Sequence, residues 1–299
     1  MVPSDPAAAV RPALRPSRRH LRVARAYLLL PHAVPVLVVL AATAGFALLA
    51  PGGPPPVAEM IRLLLAMLGG QVAIGAVNEL VDAELDAAAK PWKPIPAGDV
   101  SPRAARAVAA LGLGAMVLFG APFGPGPLAL LALGTGLGLA YDLWFKRGPF
   151  AWLPYLLALP LLPLWVRAAL VGFDSRLLLL YPLGGLAVVG VHLAQALPDA
   201  RSDRAAGLRN PVSVLGERRA LLLCWAATLS APALALLASP TLADRPGPLY
   251  VAGPLTLLLV ALDAAFYRQR PRLGVLACFP CVAVATALTG LAWVLAVGS

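Results

Sequence analysis

Long apolar blocks recur along the whole chain, and this repetition constrains the fold more than any other feature. Glycine, proline or charged residues separate nine such blocks, at approximately residues 26–49, 57–80, 103–120, 127–144, 150–168, 177–197, 217–237, 248–266 and 274–297. A helix of roughly 20 apolar residues can cross the hydrocarbon core of a bilayer. The pattern predicts an all-α membrane protein with nine transmembrane helices over residues 26–299, preceded by a basic tail at residues 1–25.

The composition excludes an ordinary water-soluble enzyme. Of the 299 residues, 60% are hydrophobic and 13% are charged, and the mean hydropathy is +0.81. A soluble domain is closer to half apolar and a quarter charged. The first apolar block exceeds the roughly 7–15 residues of a signal-peptide core, so we interpret it as a retained transmembrane helix.

Positive charges are distributed unequally between the two ends of the predicted helices. The chain carries 24 Lys and Arg residues against 14 acidic residues, a net charge of +10. Only Arg62, Arg167, Arg176 and Arg245 fall on the side opposite the N-terminal tail. Because cytoplasmic segments of membrane proteins carry the excess of Lys and Arg, we expect a cytoplasmic N-terminus. The positive charge is thus explained by topology and does not indicate a nucleic-acid partner.

Four polar side chains share one face of the second predicted helix, at its cytoplasmic end. On a helix of 3.6 residues per turn, Asn78, Glu79, Asp82 and Asp86 fall within a stripe of about 100°, whereas Glu84 points away. The stripe rises about 12 Å, which is too long for one metal ion. It suits a polyanion that is bridged by two or more cations.

A second polar group lies at the cytoplasmic end of the sixth predicted helix. His192, Gln195, Asp199 and Asp203 fall on one face if the helix continues past Pro198, which we expect to kink or end it. Solvated acids neutralised by nearby arginines are the simpler interpretation of any one of these residues. That interpretation explains two carboxylate stripes on the same membrane side poorly, because ionisable groups within a span are costly and usually functional.

A bound divalent cation would stabilise both acidic groups. Mg²⁺ prefers oxygen ligands and is typically held by one or two carboxylates together with substrate phosphates. We therefore predict a magnesium–diphosphate site, in which cations and a tyrosine hydroxyl help to bind the diphosphate. The predicted metal ligands are Asn78, Glu79, Asp82, Asp86, Asp199 and Asp203, and the predicted diphosphate-binding residues are Lys90, Lys93, Tyr141, Lys146, Arg147, Arg204 and Arg209. His192 and Gln195 are predicted to line the substrate pocket.

These residues resemble the motifs of the UbiA superfamily of intramembrane prenyltransferases. The first family motif, N-x-x-x-D-x-x-x-D, is matched over residues 78–86, and the basic proline-rich stretch that follows it is matched by Lys90–Pro96. The second motif, D-x-x-x-D, is matched by Asp199 and Asp203. The stretch from Tyr141 to Lys146-Arg147 resembles the basic loop that follows the fourth helix in the family. The resemblance implies a bundle of nine helices and covers nearly the whole chain.

The chain also departs from the family pattern. Glu79 stands where the family commonly has Asp, and Leu30 lies where a basic residue often helps to hold the diphosphate. By this resemblance Arg25 or Arg22 would supply that charge, with His32 as a weaker candidate.

The resemblance implies an Mg²⁺-dependent enzyme of the membrane. Asp82, Asp86, Asp199 and Asp203 would promote loss of pyrophosphate from a polyprenyl diphosphate, and an aromatic or other lipophilic acceptor would capture the allylic carbocation. A UbiA-type terpene cyclase, a transferase of phosphoribose to a lipid phosphate and a cation-coupled transporter are the alternatives. The Ala, Leu, Arg and Pro bias favours a bacterial plasma membrane, with the active site facing the cytoplasm.

Overall fold

The computed structural model describes residues 16–148, 150–200, 204, 207 and 210–297, and the regular elements within these ranges are helical. The short segments are the 3₁₀ turns Ala121–Phe123 and Ser175–Leu179 and the π-helical turn Tyr141–Phe145. The α-helices are α1 (Pro16–Leu29), α2 (Ala33–Leu48), α3 (Val57–Ala89), α4 (Pro102–Gly120), α5 (Pro125–Ala140), α6 (Leu153–Ala158), α7 (Leu161–Leu170), α8 (Leu180–Ala196), α9 (Pro211–Leu215), α10 (Glu217–Leu242), α11 (Gly247–Gln269) and α12 (Pro271–Val297).

Several of these helices, alone or joined to the segment that follows them, are long enough to cross a membrane. Within the described ranges, 7 helical segments qualify by length and hydropathy, and the count reaches 9 when each of two bent pairs is taken as one span. One bent pair joins α1 to α2 at 49°, and the other, at 52°, lies within residues 175–196. The predicted all-α membrane fold is confirmed, and the predicted number of spans holds if the bent pairs cross the membrane.

The outer surface of the bundle is apolar. Leu37, Leu118 and Leu237 expose 64%, 67% and 78% of their surface, and many other large apolar side chains are similarly exposed. A water-soluble monomer does not present so much contiguous apolar surface, whereas a bilayer solvates it. The length of the helices and this exterior together identify an integral membrane protein.

Small residues let α3, the helix that carries the first polar stripe, approach its neighbours closely. A Cβ atom added to Gly69 of α3 would lie 2.6 Å from the carbonyl oxygen of Gly112 in α4. A Cβ atom added to Gly75 would lie 2.5 Å from the Cα atom of Pro31. Close backbone contact at small residues is a common way for membrane helices to associate. It fixes α3 against α4 and against the junction of α1 with α2.

The bend between α1 and α2 lies beside the polar end of α3, by which we mean the segment from Asn78 to Ala89. His32, at the bend, has a φ of 58°, and among the described residues it is the only non-glycine with a positive φ. Ala26 and Leu30 pack into a buried cluster with Ala76 of α3. An ion pair of 2.7 Å joins Arg22 to Asp99. The part of α1 within residues 16–25, predicted as tail, is therefore helical and docks near this end of α3.

A second buried cluster packs α8 against α10 and α12. It includes Leu193 and Leu197 near the end of α8, Leu221 and Cys224 of α10, and Cys278 of α12. The three cysteines are free. Helix α8 ends two residues before Pro198, as predicted from the missing backbone donor of proline.

A charged cluster lies near the opposite ends of the helices. Asp174 pairs with Arg167 at 3.1 Å and also accepts hydrogen bonds from the backbone and side chain of Arg176. Arg176 in turn pairs with Asp244 at 2.6 Å. Burial alone would raise the pKa of Asp174, but the hydrogen bonds from Arg176 and the charge of Arg167 hold it below its usual value.

Candidate active site

Two buried acids of the first stripe share one lysine. Glu79 and Asp86 expose only 2% and 5% of their surface, and Lys93 Nζ lies 2.8 Å from Glu79 Oε1 and 2.7 Å from Asp86 Oδ2. His32 Nε2 lies 3.1 Å from the same oxygen of Glu79. Burial would lower the pKa of Lys93, but its hydrogen bonds to Asp86 and Glu79 hold the pKa above its usual value. The charged Lys93 side chain thereby links the loop after α3 to the acidic stripe.

The central acid of the stripe pairs with a different set of cations. Lys146 Nζ lies 2.7 Å from Asp82 Oδ1, and Arg147 Nη2 lies 3.4 Å from the same oxygen. Both cations follow the π-helical turn, in which the backbone N–H of Lys146 donates to the carbonyl oxygen of Tyr141 at 2.9 Å. Turns of this kind are often found at functional sites. The structure thus brings together the first motif and the basic loop that the sequence linked to it.

Asp142 is a buried acid at this site that the sequence pattern did not indicate. It exposes 3% of its surface, accepts a hydrogen bond of 2.6 Å from Asn78 Nδ2, and lies 3.6 Å from Lys146 Nζ. The sequence places it at a helix end, where an acid is usually solvated. Its position four residues before a lysine, within an apolar span, was the signal that could have found it.

Aromatic rings connect the π-helical turn to α8. The rings of Tyr141 and Tyr155 meet edge to face with centroids 5.1 Å apart, and the ring of Tyr155 lies 5.5 Å from that of His192. Tyr155 also interacts with the side chain of Gln195. His192 is buried, whereas Gln195 is exposed. This chain of contacts links the first polar group to the helix that leads into the second.

The second motif is described only in part. Asp199 is exposed in the turn that follows α8, and Asp203 and Arg209 lie outside the described residues. Arg204 donates from its Nε to the backbone carbonyl of Ser213 at 3.1 Å. The predicted roles of these four residues stay predictions.

The remaining predicted site residues lie on the exterior. Arg25 is exposed on α1, and Lys90 is exposed directly after α3. Glu84 is exposed while Glu79 is buried, in agreement with the predicted helical register. The stripe therefore has the geometry expected from the spacing of its residues.

The donor atoms of the site fit a divalent cation that is shared with a phosphate ligand. Within residues 16–148, 150–200 and 210–297, no three His, Cys, Asp or Glu side chains are grouped as a metal cage. However, Glu79 Oε2 and Asp142 Oδ2 are buried carboxylate oxygens without a hydrogen-bond partner. Hard cations such as Mg²⁺ are typically bound by one or two carboxylates and completed by substrate phosphates. The oxygens present suit that mode of binding.

An apolar cavity lies further along α3 from the polar end. It has a volume of about 130 Å³, and its lining includes Met67 and Gln71 of α3, Leu131 and Thr135 of α5, and Trp165 of α7. Gln71 lies seven residues from Asn78, which corresponds to about 10 Å along the helix. Cavities of about 150 Å³ with apolar walls bind molecules the size of benzene. A small hydrocarbon group would therefore fit within reach of the polar end.

Comparisons with known proteins agree on one family. The profile of the UbiA prenyltransferase family matches residues 38–279. A digeranylgeranylglyceryl phosphate synthase from Methanoculleus marisnigri is 30% identical over 246 residues, which cover 77% of this chain and 81% of that protein.

Two solved structures share the fold. An apo UbiA homologue from Aeropyrum pernix superimposes with a TM-score of 0.63 at 22% identity, covering 94% of this chain and 98% of that one. A UbiA homologue from Archaeoglobus fulgidus bound to DMAPP and Mg²⁺ superimposes with a TM-score of 0.65 at 19% identity, covering 88% and 97%. These likenesses extend over nearly the whole bundle.

Proposed function

Because the chain belongs to the UbiA prenyltransferase family and is an integral membrane enzyme, we propose that it transfers a prenyl group from a polyprenyl diphosphate to a lipophilic acceptor. One observation carries this proposal. The polar end of α3 combines buried carboxylates with Lys93, Lys146 and Arg147, and an apolar cavity begins about 10 Å away along the same helix. An anionic head and an apolar tail on one substrate match this arrangement.

The cations of the site would hold the diphosphate. Lys146 and Arg147 already lie beside Asp82, so a phosphate at this end of α3 meets two positive charges. Preorganised cations that face a developing negative charge stabilise the departing pyrophosphate in the transition state. Arg25 and Lys90, which are exposed near this end, would add charge that is screened by water.

Asn78, Glu79, Asp82 and Asp86 would hold Mg²⁺, together with Asp199 and Asp203 from the second motif. The bound ion would neutralise charge on the leaving pyrophosphate. The solved relative from Archaeoglobus fulgidus contains Mg²⁺ and DMAPP, which supports a divalent cation in this role.

The reaction breaks the bond between the first prenyl carbon and the bridging oxygen, and pyrophosphate leaves with the electron pair. The acceptor then forms a new bond to that carbon and loses a proton. The electron-rich faces of Tyr141 and Tyr155 would stabilise positive charge on the prenyl group. Apolar walls would keep water from capturing it.

We also propose an acceptor class and an orientation in the membrane. The curated relative is named for a product that contains a glyceryl phosphate, so a prenylated glyceryl phosphate is a candidate acceptor beside phenolic or quinone-precursor compounds. The same relative supports intermolecular transfer over cyclisation. The asymmetry of Lys and Arg supports a cytoplasmic N-terminus and site. The bacterial plasma membrane stays a prediction, because the named relatives are archaeal.

The proposal is tested by incubating the purified full-length protein with Mg²⁺ and C10, C15 or C20 prenyl diphosphates. Pyrophosphate and extracted products are quantified without acceptor, and then with a prenylated glyceryl phosphate or a phenolic acceptor. We expect a prenylated acceptor together with an equal amount of pyrophosphate. A cyclic hydrocarbon formed without acceptor would instead identify a terpene cyclase, and no pyrophosphate under any condition would refute the proposal.

A further inference from the structure

The hydrogen bond between Asn78 and Asp142 connects the first motif to a residue that belongs to neither acidic motif. Asp142 lies in the π-helical turn, 64 positions from Asn78, and is 3% exposed. The two side chains meet at 2.6 Å, with Asn78 Nδ2 as donor and Asp142 Oδ1 as acceptor. Lys146 Nζ lies 3.6 Å from the same carboxylate oxygen. A buried carboxylate in this setting needs donors, and the asparagine supplies one.

The direction of this hydrogen bond determines which end of the asparagine amide faces the site. An ionised carboxylate only accepts hydrogen bonds, whereas a carboxamide has one donor end and one acceptor end of nearly the same shape. Because Nδ2 is directed at Asp142, the oxygen of Asn78 is turned away from it. The oxygen is the only atom of this amide that can bind a cation, since an amide NH₂ group has no lone pair to donate.

We infer that Asp142 is a positioning residue that holds the Asn78 amide with its oxygen available to the divalent cation. The inference rests on the proposed function, in which Asn78 is a metal ligand. Groups that orient a ligand in this way typically change metal affinity by 10–100-fold when they are replaced. The role requires a hydrogen-bond acceptor at position 142 when position 78 is an amide, and it requires a donor at position 142 when position 78 is a carboxylate.

The swapped pair N78D/D142N separates this role from simple packing. In D142N alone, the two amides can pair in either direction, so the orientation of Asn78 is no longer fixed. In N78D/D142N the new carboxylate presents an oxygen to the site in either orientation, and the new amide donates to its other oxygen. The same two side-chain shapes are kept in all three proteins.

The test measures binding of Mn²⁺, as a probe for the divalent site, to the full-length protein in detergent with inorganic pyrophosphate. Free Mn²⁺ is quantified from its electron paramagnetic resonance signal, so the readout does not depend on turnover. D263N is the matched control, because Asp263 is also a buried acid that accepts a side-chain hydrogen bond, from Trp225 at 2.8 Å. Thermal unfolding of each variant reports whether it is folded.

We expect D142N to bind Mn²⁺ about 10–100-fold more weakly. We expect N78D/D142N to bind more tightly than D142N, and D263N to bind as wild type does. Equal binding by D142N and wild type would overturn the inference, and so would a swapped pair that binds no better than D142N. If wild type itself binds no Mn²⁺ with pyrophosphate, the metal site of the proposed function is refuted together with the inference. If wild type binds Mn²⁺ and D142N binds it equally well, only the positioning role of Asp142 is refuted.

Discussion

Replacement of Lys93 by Met tests whether this side chain neutralises the buried acids of α3. Lys93 contacts Glu79 and Asp86 at 2.8 and 2.7 Å, and the lysine side chain is 18% exposed against 2% and 8% for the two acids. Removing one member of a buried ion pair leaves an uncompensated charge and typically costs 3–5 kcal/mol. Because Lys93 keeps some contact with solvent, we expect the low end, about 3 kcal/mol, or about 100-fold in the unfolding equilibrium.

The assay is the free energy of unfolding of the purified protein in mixed detergent. K90M is the matched control, because Lys90 lies in the same loop but is exposed. We expect K90M to unfold like wild type, and K93M combined with E79Q and D86N to recover most of the loss. A K93M protein as stable as wild type would refute the reasoning, and so would a triple variant less stable than K93M.

Three further predictions concern other charged residues. E79Q should raise the Mg²⁺ concentration for half-maximal pyrophosphate release by roughly tenfold, whereas E84Q should leave it unchanged, and equal effects would contradict the helical register. D199A should abolish turnover while thermal unfolding shows a folded protein; retained turnover would remove the second motif from the site. The lowered pKa of Asp174 means that its stabilising contribution is present above its unfolded pKa of about 3.9 and is lost as the pH falls through the lower folded value. The unfolding free energy of wild type should therefore decrease over this acidic range more than that of D174N, and parallel curves would contradict the assigned ion pairs.

The helical spans were predictable because each depends on local composition. The stripe on α3 was predictable for the same reason, since one continuous helix carries Asn78 to Asp86 and its period determines which side chains share a face. The bend at His32 was not predictable from hydropathy. It lies where Pro31 approaches Gly75 of α3, which is a contact between segments distant in sequence.

The partners of the acids were harder to predict than the acids themselves. Sequence indicated a group of cations, but it could not indicate that Lys93 pairs with Glu79 and Asp86 while Lys146 pairs with Asp82. Asp142 was missed because its burial depends on the packing of the π-helical turn against α3. Periodicity describes one helix at a time, so contacts between helices have to come from the structure.

Pyrophosphate release by D82A, with Mg²⁺ and a prenyl diphosphate, tests most directly whether the polar end of α3 is where the diphosphate is ionised. Asp82 lies at the centre of the stripe and contacts both Lys146 and Arg147. The proposed site predicts a decrease of roughly 100-fold or more in D82A, while the exposed neighbour variant E84A releases pyrophosphate as wild type does. A folded D82A protein that releases pyrophosphate at the wild-type rate would contradict this assignment.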